Sequence, residues 1–209
     1  MTKVKVCGIT TLDDARLAID LGADMLGFNF YSKSPRYVSA HSAGEMISEL
    51  GTGGMMVGVF VNDSIDRIIG IAEMAKLDAI QLHGDESTQF VDDLRKRTDC
   101  DIVKAFRVSA DFEWDDVLDY NAHAILLDAY SPNERGGTGE TFDWEIAKSV
   151  WTFVGELWLA GGLKPENVRK AIIEVQPYAV DACSSLESTP GIKDPDKLRR
   201  FITEAKRND

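Results

Sequence analysis

A chain of 209 residues suits one domain, since single hydrophobic cores rarely outgrow roughly 250–300 residues, and its 44% hydrophobic content is ordinary for a globular protein. The 35 acidic against 23 basic residues leave a net charge of −12, which argues against a nucleic-acid partner, because backbone binding needs clustered Lys and Arg. Cys7, Cys100 and Cys183 form no C-x-x-C pair, and the opening MTKVKVCGIT has neither a signal-peptide run nor a membrane span after it, so reduced thiols, a cytoplasmic location and no membrane partner are expected.

Eight apolar runs set the rhythm of the chain: Lys3–Cys7, Met25–Phe30, Met55–Val61, Ala79–Leu82, Ile102–Phe106, Ala124–Asp128, Leu157–Ala160 and Ala179–Cys183. They are rich in Val, Ile, Leu and Phe, and most lack polar alternation. Strands buried on both faces of a parallel sheet read this way. Helical patterns lie between them. Leu12, Ala15, Leu17, Ala18 and Leu21 form a stripe closed by Gly22, with Asp13 and Asp14 at its N-terminal end. Ile65, Ile68, Ile69 and Ala72 repeat the pattern after Ser64. Phe90, Val91 and Leu94 do so after Glu86. Val168, Ala171, Ile172 and Val175 do so after Pro165, near which the helix is expected to begin. Asp111–Tyr120 is the weakest helix and predicts a short or irregular connection.

Two architectures fit this alternation: a closed (β/α)8 barrel near its minimum size, or an open doubly wound sheet. Nothing like G-x-G-x-x-G follows the first strand. The regular spacing, with no second subdomain, favours one α/β barrel over residues 1–209.

In such a barrel the chemistry sits at the C-terminal strand ends. The first strand ends in Cys7. Strand cysteines usually pack as small apolar residues, but this one stands at a strand end and precedes Gly8, which lets backbone come close to a ligand. A thiolate there serves as base or nucleophile. Asp128 ends an apolar strand, where it either caps the next loop or donates a proton from apolar surroundings. A thiol and a carboxyl across a barrel mouth suit moving a proton between carbon and oxygen. Arg36, in FNFYSKSPRYV, is a solvated loop residue or a fork for a carboxylate or phosphate. Gly161 and Gly162, with the serine-rich CSSLES one unit later, provide backbone and hydroxyl donors for a phosphate. His83, in QLHG, is a ligand contact or a satisfied strand-end histidine. The loop Arg135–Thr141 is a connector or a mobile cover. No His/Cys/Asp cluster has metal-ligand spacing, so no metal is expected. An aldolase would need a Schiff-base lysine, and no predicted strand end offers one; Lys104 lies within its strand.

KVCGIT, GFNFYSKSPRYV, QLHG, LLDA, GGTGETFDW, LAGGL and VDACSS...PGIKD occur together, in order and at compatible spacing. The set resembles the phosphoribosylanthranilate isomerase family over the whole chain. The resemblance implies a (β/α)8 barrel that performs an Amadori rearrangement of N-(5-phosphoribosyl)anthranilate in tryptophan biosynthesis, without a cofactor. It implies Asp128 as general acid, Cys7 as general base, Arg36 on the anthranilate carboxylate, and Gly161, Gly162 and Ser184 on the phosphate. Monomer and homodimer both remain open. The chain departs from the family pattern VD-x-S-S-G-V-E: Cys183 stands for a serine and Ser185 for the glycine. If that glycine uses a positive φ, Ser185 is strained or the phosphate loop is rearranged.

Overall fold

A computed structural model describes residues 1–51, 53–109, 111–129 and 143–207. Eight parallel strands close into a barrel in sequence order: β1 Lys3–Cys7, β2 Met25–Asn29, β3 Met55–Phe60, β4 Ala79–Leu82, β5 Asp101–Val108, β6 Ala124–Ala129, β7 Leu157–Leu159 and β8 Ala179–Ala182. Each matches a predicted apolar run to within about two residues, and the closed order excludes the open sheet. The helices are α1 Leu12–Asp20, α2 Ala40–Leu50, α3 Ile65–Ala75, α4 Thr88–Arg95, α5 Trp144–Trp151, α6 Val168–Val175 and α7 Pro195–Lys206. A single 3₁₀ turn, Trp114–Val117, joins β5 to β6 where the helical pattern was weakest.

Local chemistry fixes the helix starts. Thr11, Ser39, Ser64, Ser87, Asp143 and Asp194 each accept a hydrogen bond from a backbone N–H in the first turn of the helix that follows. Caps of this kind contribute about 1 kcal/mol each. α6 begins at Val168 rather than near Pro165, because Asn167 folds back: its Oδ1 accepts from Lys164 N–H at 2.8 Å and its Nδ2 donates to Gly162 O at 3.0 Å. α2 turns Ala40, Ala43, Met46, Ile47 and Leu50 to the core. Gly44 in its middle lets the helix lie against α3, where a Cβ would stand 2.9 Å from Met74 O.

Alternation along the strands separates two apolar layers. Val4, Val6, Leu26, Phe28, Ile80, Leu82, Ile102, Ile125 and Leu127 face the helices. Met25, Val57, Ala79, Val103, Ala105, Ala124, Leu126, Trp158 and Ala179 fill the barrel interior. Lys5, Cys7, Gln81, Asp128 and Asp181 have the interior parity on their strands, and all are buried. The barrel is therefore apolar below and polar towards its C-terminal mouth.

Beyond β8 the chain makes a 3₁₀ turn, Ser184–Leu186, and a small hairpin of β9 Glu187–Thr189 and β10 Ile192–Lys193. This hairpin brings two buried charges, Glu187 and Lys193, back onto the mouth. No helix among the described residues is long and apolar enough to cross a membrane.

Candidate active site

Cys7 ends β1 with 8% of its surface exposed. Lys5 precedes it by two positions and faces the same way. Lys5 is wholly buried, and its Nζ lies 3.0 Å from Asp181 Oδ2 on β8. Burial works against the Lys5 charge, but Asp181 and Cys7 outweigh it and hold its pKa above the ordinary lysine value. Burial pushes Asp181 up to about 7, against the pull of Lys5. Lys193 donates to the carbonyl of Cys7 at 2.6 Å and to Glu187 Oε1 at 3.1 Å.

The thiol of Cys7 meets that of Cys183. The hydrogen bond from Cys183 holds the Cys7 pKa well below the usual thiol value; burial opposes this, and the charges of Lys5 and Lys193 assist it. Cys183 moves the other way, raised by that same hydrogen bond and by burial. The two shifts run in opposite directions, so Cys7 is the more readily ionised thiol of the pair.

Gly8 has φ +74°, and a Cβ there would stand 2.7 Å from Cys183 Sγ and 2.8 Å from Arg36 Cδ. The room it leaves is thus filled by two of the protein's own side chains. Arg36 projects from the loop after β2 and spends one edge of its fork within the protein. Its Nε donates to Glu187 Oε1 at 2.9 Å and its Nη2 to Glu187 Oε2 at 2.8 Å. Although burial opposes it, the ionised form of Glu187 is favoured by Arg36 and Lys193, which lower its pKa.

Across the barrel, Asp128 on β6 lies 3.3 Å from His83 Nε2, both nearly buried. Gln81 Nε2 is 2.8 Å from His83 Nδ1. With the amide N–H donating to Nδ1, the imidazole carries its proton on Nε2, facing Asp128. The Nε2–carboxylate contact has ion-pair distance without hydrogen-bond alignment, and Nε2 is buried with no hydrogen-bond partner among the described residues. His83 therefore stands beside Asp128 rather than alone at a strand end.

Gly161 and Gly162 both have positive φ, +80° and +62°. A Cβ on Gly161 would lie 2.3 Å from Ala129 N, so glycine there serves close packing against β6 next to Asp128. Ser184 opens the 3₁₀ turn beyond β8. Ser185 is not among the described residues with positive φ, and its hydroxyl donates to Leu163 O. The strain that a glycine-to-serine change would cause at positive φ is absent, and the loops after β7 and β8 are tied together. The loop Arg135–Thr141 lies outside the described residues.

Sequence reasoning missed Lys5, Asp181, Glu187, Lys193 and Gln81. Two of these carried a signal. Lys5 and Asp181 are charged residues inside apolar strands, and Lys5 shares the parity of Cys7. Lys104 gave the misleading one. It faces outwards, with its Nζ 3.0 Å from Glu86 Oε2 under the loop after β4, while Lys5 is the interior lysine. Held charged by Asp181, Lys5 is a cation and a poor Schiff-base nucleophile.

A barrel of this kind, with a thiol, a carboxyl and glycine-serine loops at its C-terminal mouth, defines a (β/α)8 enzyme of sugar-phosphate chemistry. Residues 4–204 match the model of the N-(5'-phosphoribosyl)anthranilate isomerase family. The isomerase of Citrifermentans bemidjiense is 49% identical over 207 residues, covering 99% of this chain and 98% of that protein. The crystal structure of the Thermotoga maritima isomerase superposes with a TM-score of 0.92 at 42% identity, covering 99% of each chain. A structure of a phosphoribosylanthranilate isomerase in complex with reduced 1-(o-carboxyphenylamino)-1-deoxyribulose 5-phosphate superposes with a TM-score of 0.88 at 40% identity, also covering 99% of each chain. The chain belongs to the N-(5'-phosphoribosyl)anthranilate isomerase family. Its reaction is the isomerisation of N-(5'-phosphoribosyl)anthranilate to 1-(2-carboxyphenylamino)-1-deoxyribulose 5-phosphate, in tryptophan biosynthesis.

Proposed function

We propose that Cys7 and Asp128 carry this isomerisation as general base and general acid. Asp128 protonates the furanose ring oxygen, and the C1–O bond breaks to leave a protonated imine between C1 and the anthranilate nitrogen. The imine draws electrons from the neighbouring C–H bond, so the C2 proton becomes acidic without a cofactor. The Cys7 thiolate takes that proton to give an enolamine, which tautomerises to the 2-ketone. The observation that carries this reading is the setting of Cys7: a buried strand-end thiol between Lys5, Lys193 and the S–H of Cys183, in a barrel whose far wall holds Asp128. His83, directed by Gln81, stands 3.3 Å from the Asp128 carboxylate, where its Nε2–H stabilises the negative charge once the proton has left.

Arg36 holds the anthranilate carboxylate. Glu187 engages its Nε and Nη2, which aims the guanidinium and leaves Nη1 for the ligand. Gly161, Gly162 and Ser184 seat the phosphate; the positive φ at both glycines and the Ser185 tie between the two loops support this. Cytoplasmic placement follows from the same thiols, because a base that works as a thiolate beside a second thiol needs reducing surroundings. A dimeric relative exists in Thermotoga maritima, and this chain acts as a monomer or a homodimer.

The test is Asp128→Asn. The amide keeps the shape but donates no proton to the ring oxygen. Loss of anthranilate-type fluorescence should slow by about 10²–10⁴-fold with the fold intact. A rate near that of the parent enzyme removes Asp128 from the role of acid.

A further inference from the structure

Cys183 is a half-buried thiol beside Cys7 that the isomerisation does not consume. Its position follows from strand register. β1 and β8 pair Lys5 with Asp181 and Val6 with Ala182. Alternate residues of paired parallel strands face the same side. Lys5 and Asp181 meet inside the barrel at 3.0 Å; one repeat further on stand Cys7, the last residue of β1, and Cys183, the first residue past the end of β8. Neighbouring strands lie about 4.8 Å apart, inside the roughly 4.4–6.8 Å Cα separation that a disulfide spans. Both cysteines are unpaired, and each thiol is close enough to shift the other's ionisation, while the Cys183 S–H also points to Glu187 Oε1 at 3.8 Å. Glycines make the room: a Cβ on Gly8 would stand 2.7 Å from Cys183 Sγ, and one on Gly27 would stand 2.7 Å from Cys7 Sγ.

We propose that Cys7 and Cys183 form a thiol-oxidation site at which a hydroperoxide closes a disulfide and removes the base. The Cys7 thiolate attacks one peroxide oxygen; the O–O bond breaks and an S–O bond forms. With hydrogen peroxide the departing hydroxide takes a proton and leaves as water. The Cys7 sulfur is now a sulfenic acid, oxidised by two electrons, and the peroxide is reduced by two. The Cys183 sulfur then attacks the Cys7 sulfur. The S–S bond forms, the S–O bond breaks, and the hydroxide leaves with the Cys183 proton as a second water. One hydrogen peroxide and two thiols give one disulfide and two waters. Cys7 keeps 8% of its surface exposed, and Cys183 lies closer to the resulting sulfenic acid than a thiol reductant in solution. The cross-link does not depend on Cys7 being the base; the accompanying loss of activity does.

The experiment treats the purified chain with a small excess of hydrogen peroxide, blocks the remaining thiols, and maps the unreduced digest by mass spectrometry. Free thiols should fall from the three of the sequence to one. The lost pair should appear as a peptide linking Cys7 to Cys183. Activity should fall in proportion to that peptide and return fully with dithiothreitol. In Cys183→Ser, or Cys183→Ala if the serine variant does not fold, each protein is compared with its own untreated sample. Either variant should give no cross-link, should carry Cys7 on to the sulfinic acid, and should lose activity that dithiothreitol does not restore. Retention of all three thiols in the parent chain overturns the proposal, as does over-oxidation of Cys7 without the linked peptide. A linked peptide with activity unchanged upholds the oxidation site and instead refutes Cys7 as the base.

Discussion

Replacing Lys5 with Met removes the cation that opposes the buried Asp181 carboxylate, and the pH dependence of stability reads the consequence. Lys5 Nζ contacts Asp181 Oδ2 at 3.0 Å, while Oδ1 has no hydrogen-bond partner among the described residues. Folding raises the Asp181 pKa from 3.8 to about 7. The carboxyl therefore binds its proton more tightly folded than unfolded. Its contribution is fully present below about pH 4 and declines by about 1.4 kcal/mol per pH unit as pH rises. With Lys5 in place the decline ends near pH 7, where the carboxylate forms and pairs. Without Lys5 the carboxyl stays protonated and the decline continues. Between pH 7 and pH 9 the variant should lose about 3 kcal/mol more than its parent, two pH units at that slope. Urea unfolding followed by tryptophan fluorescence at several pH values measures this, with both proteins in a Cys7→Ser background so that the thiol does not titrate in the same window. A stability difference that stays constant from pH 7 to pH 9 would refute Lys5 as the charge that ionises Asp181.

With Cys7 present, Lys5→Met should also move the acid limb of the kcat/KM profile to higher pH, because one of the cations favouring the thiolate is gone; an unmoved limb means that Lys5 does not act on Cys7. Arg36→Met should raise KM far more than it lowers kcat, by about 10–100-fold for the loss of charge-assisted hydrogen bonds worth about 1.5–3 kcal/mol. Glu187 keeps Lys193 as a partner in that variant, so the fold survives; an unchanged KM discards the carboxylate clamp. Ser185→Gly removes the hydroxyl that ties the two phosphate loops at Leu163 O. The loss of about 1 kcal/mol should raise KM about fivefold, and a lower KM would show that the serine burdens the site.

The barrel was readable because strands buried on both faces leave unbroken apolar runs, and the weak helical pattern at Asp111–Tyr120 marked the β5–β6 connection, which among the described residues carries a 3₁₀ turn and no α-helix. Cys7, Asp128 and His83 were readable as strand-end residues. What escaped was the charge set beneath and around Cys7. Lys5 and Asp181 sit in otherwise apolar strands, and only the β1–β8 register shows that they meet. Glu187 reaches Arg36 from 151 positions away through a hairpin too short to leave a strand pattern. Lys193 arrives on the same hairpin. Ser185 was an anticipated point of strain; the backbone removes it by keeping that residue out of the positive-φ region.

The central claim is that the Cys7 thiolate takes the C2 proton, and the turnover of a folded Cys7→Ala protein tests it most directly. Alanine fills the strand position without a base, and Lys5, held charged by Asp181, does not take its place. With far-UV circular dichroism unchanged, the loss of substrate fluorescence should be slower by about 10²–10⁴-fold at every pH. A Cys7→Ala protein that turns over at near-parental rate would contradict the account.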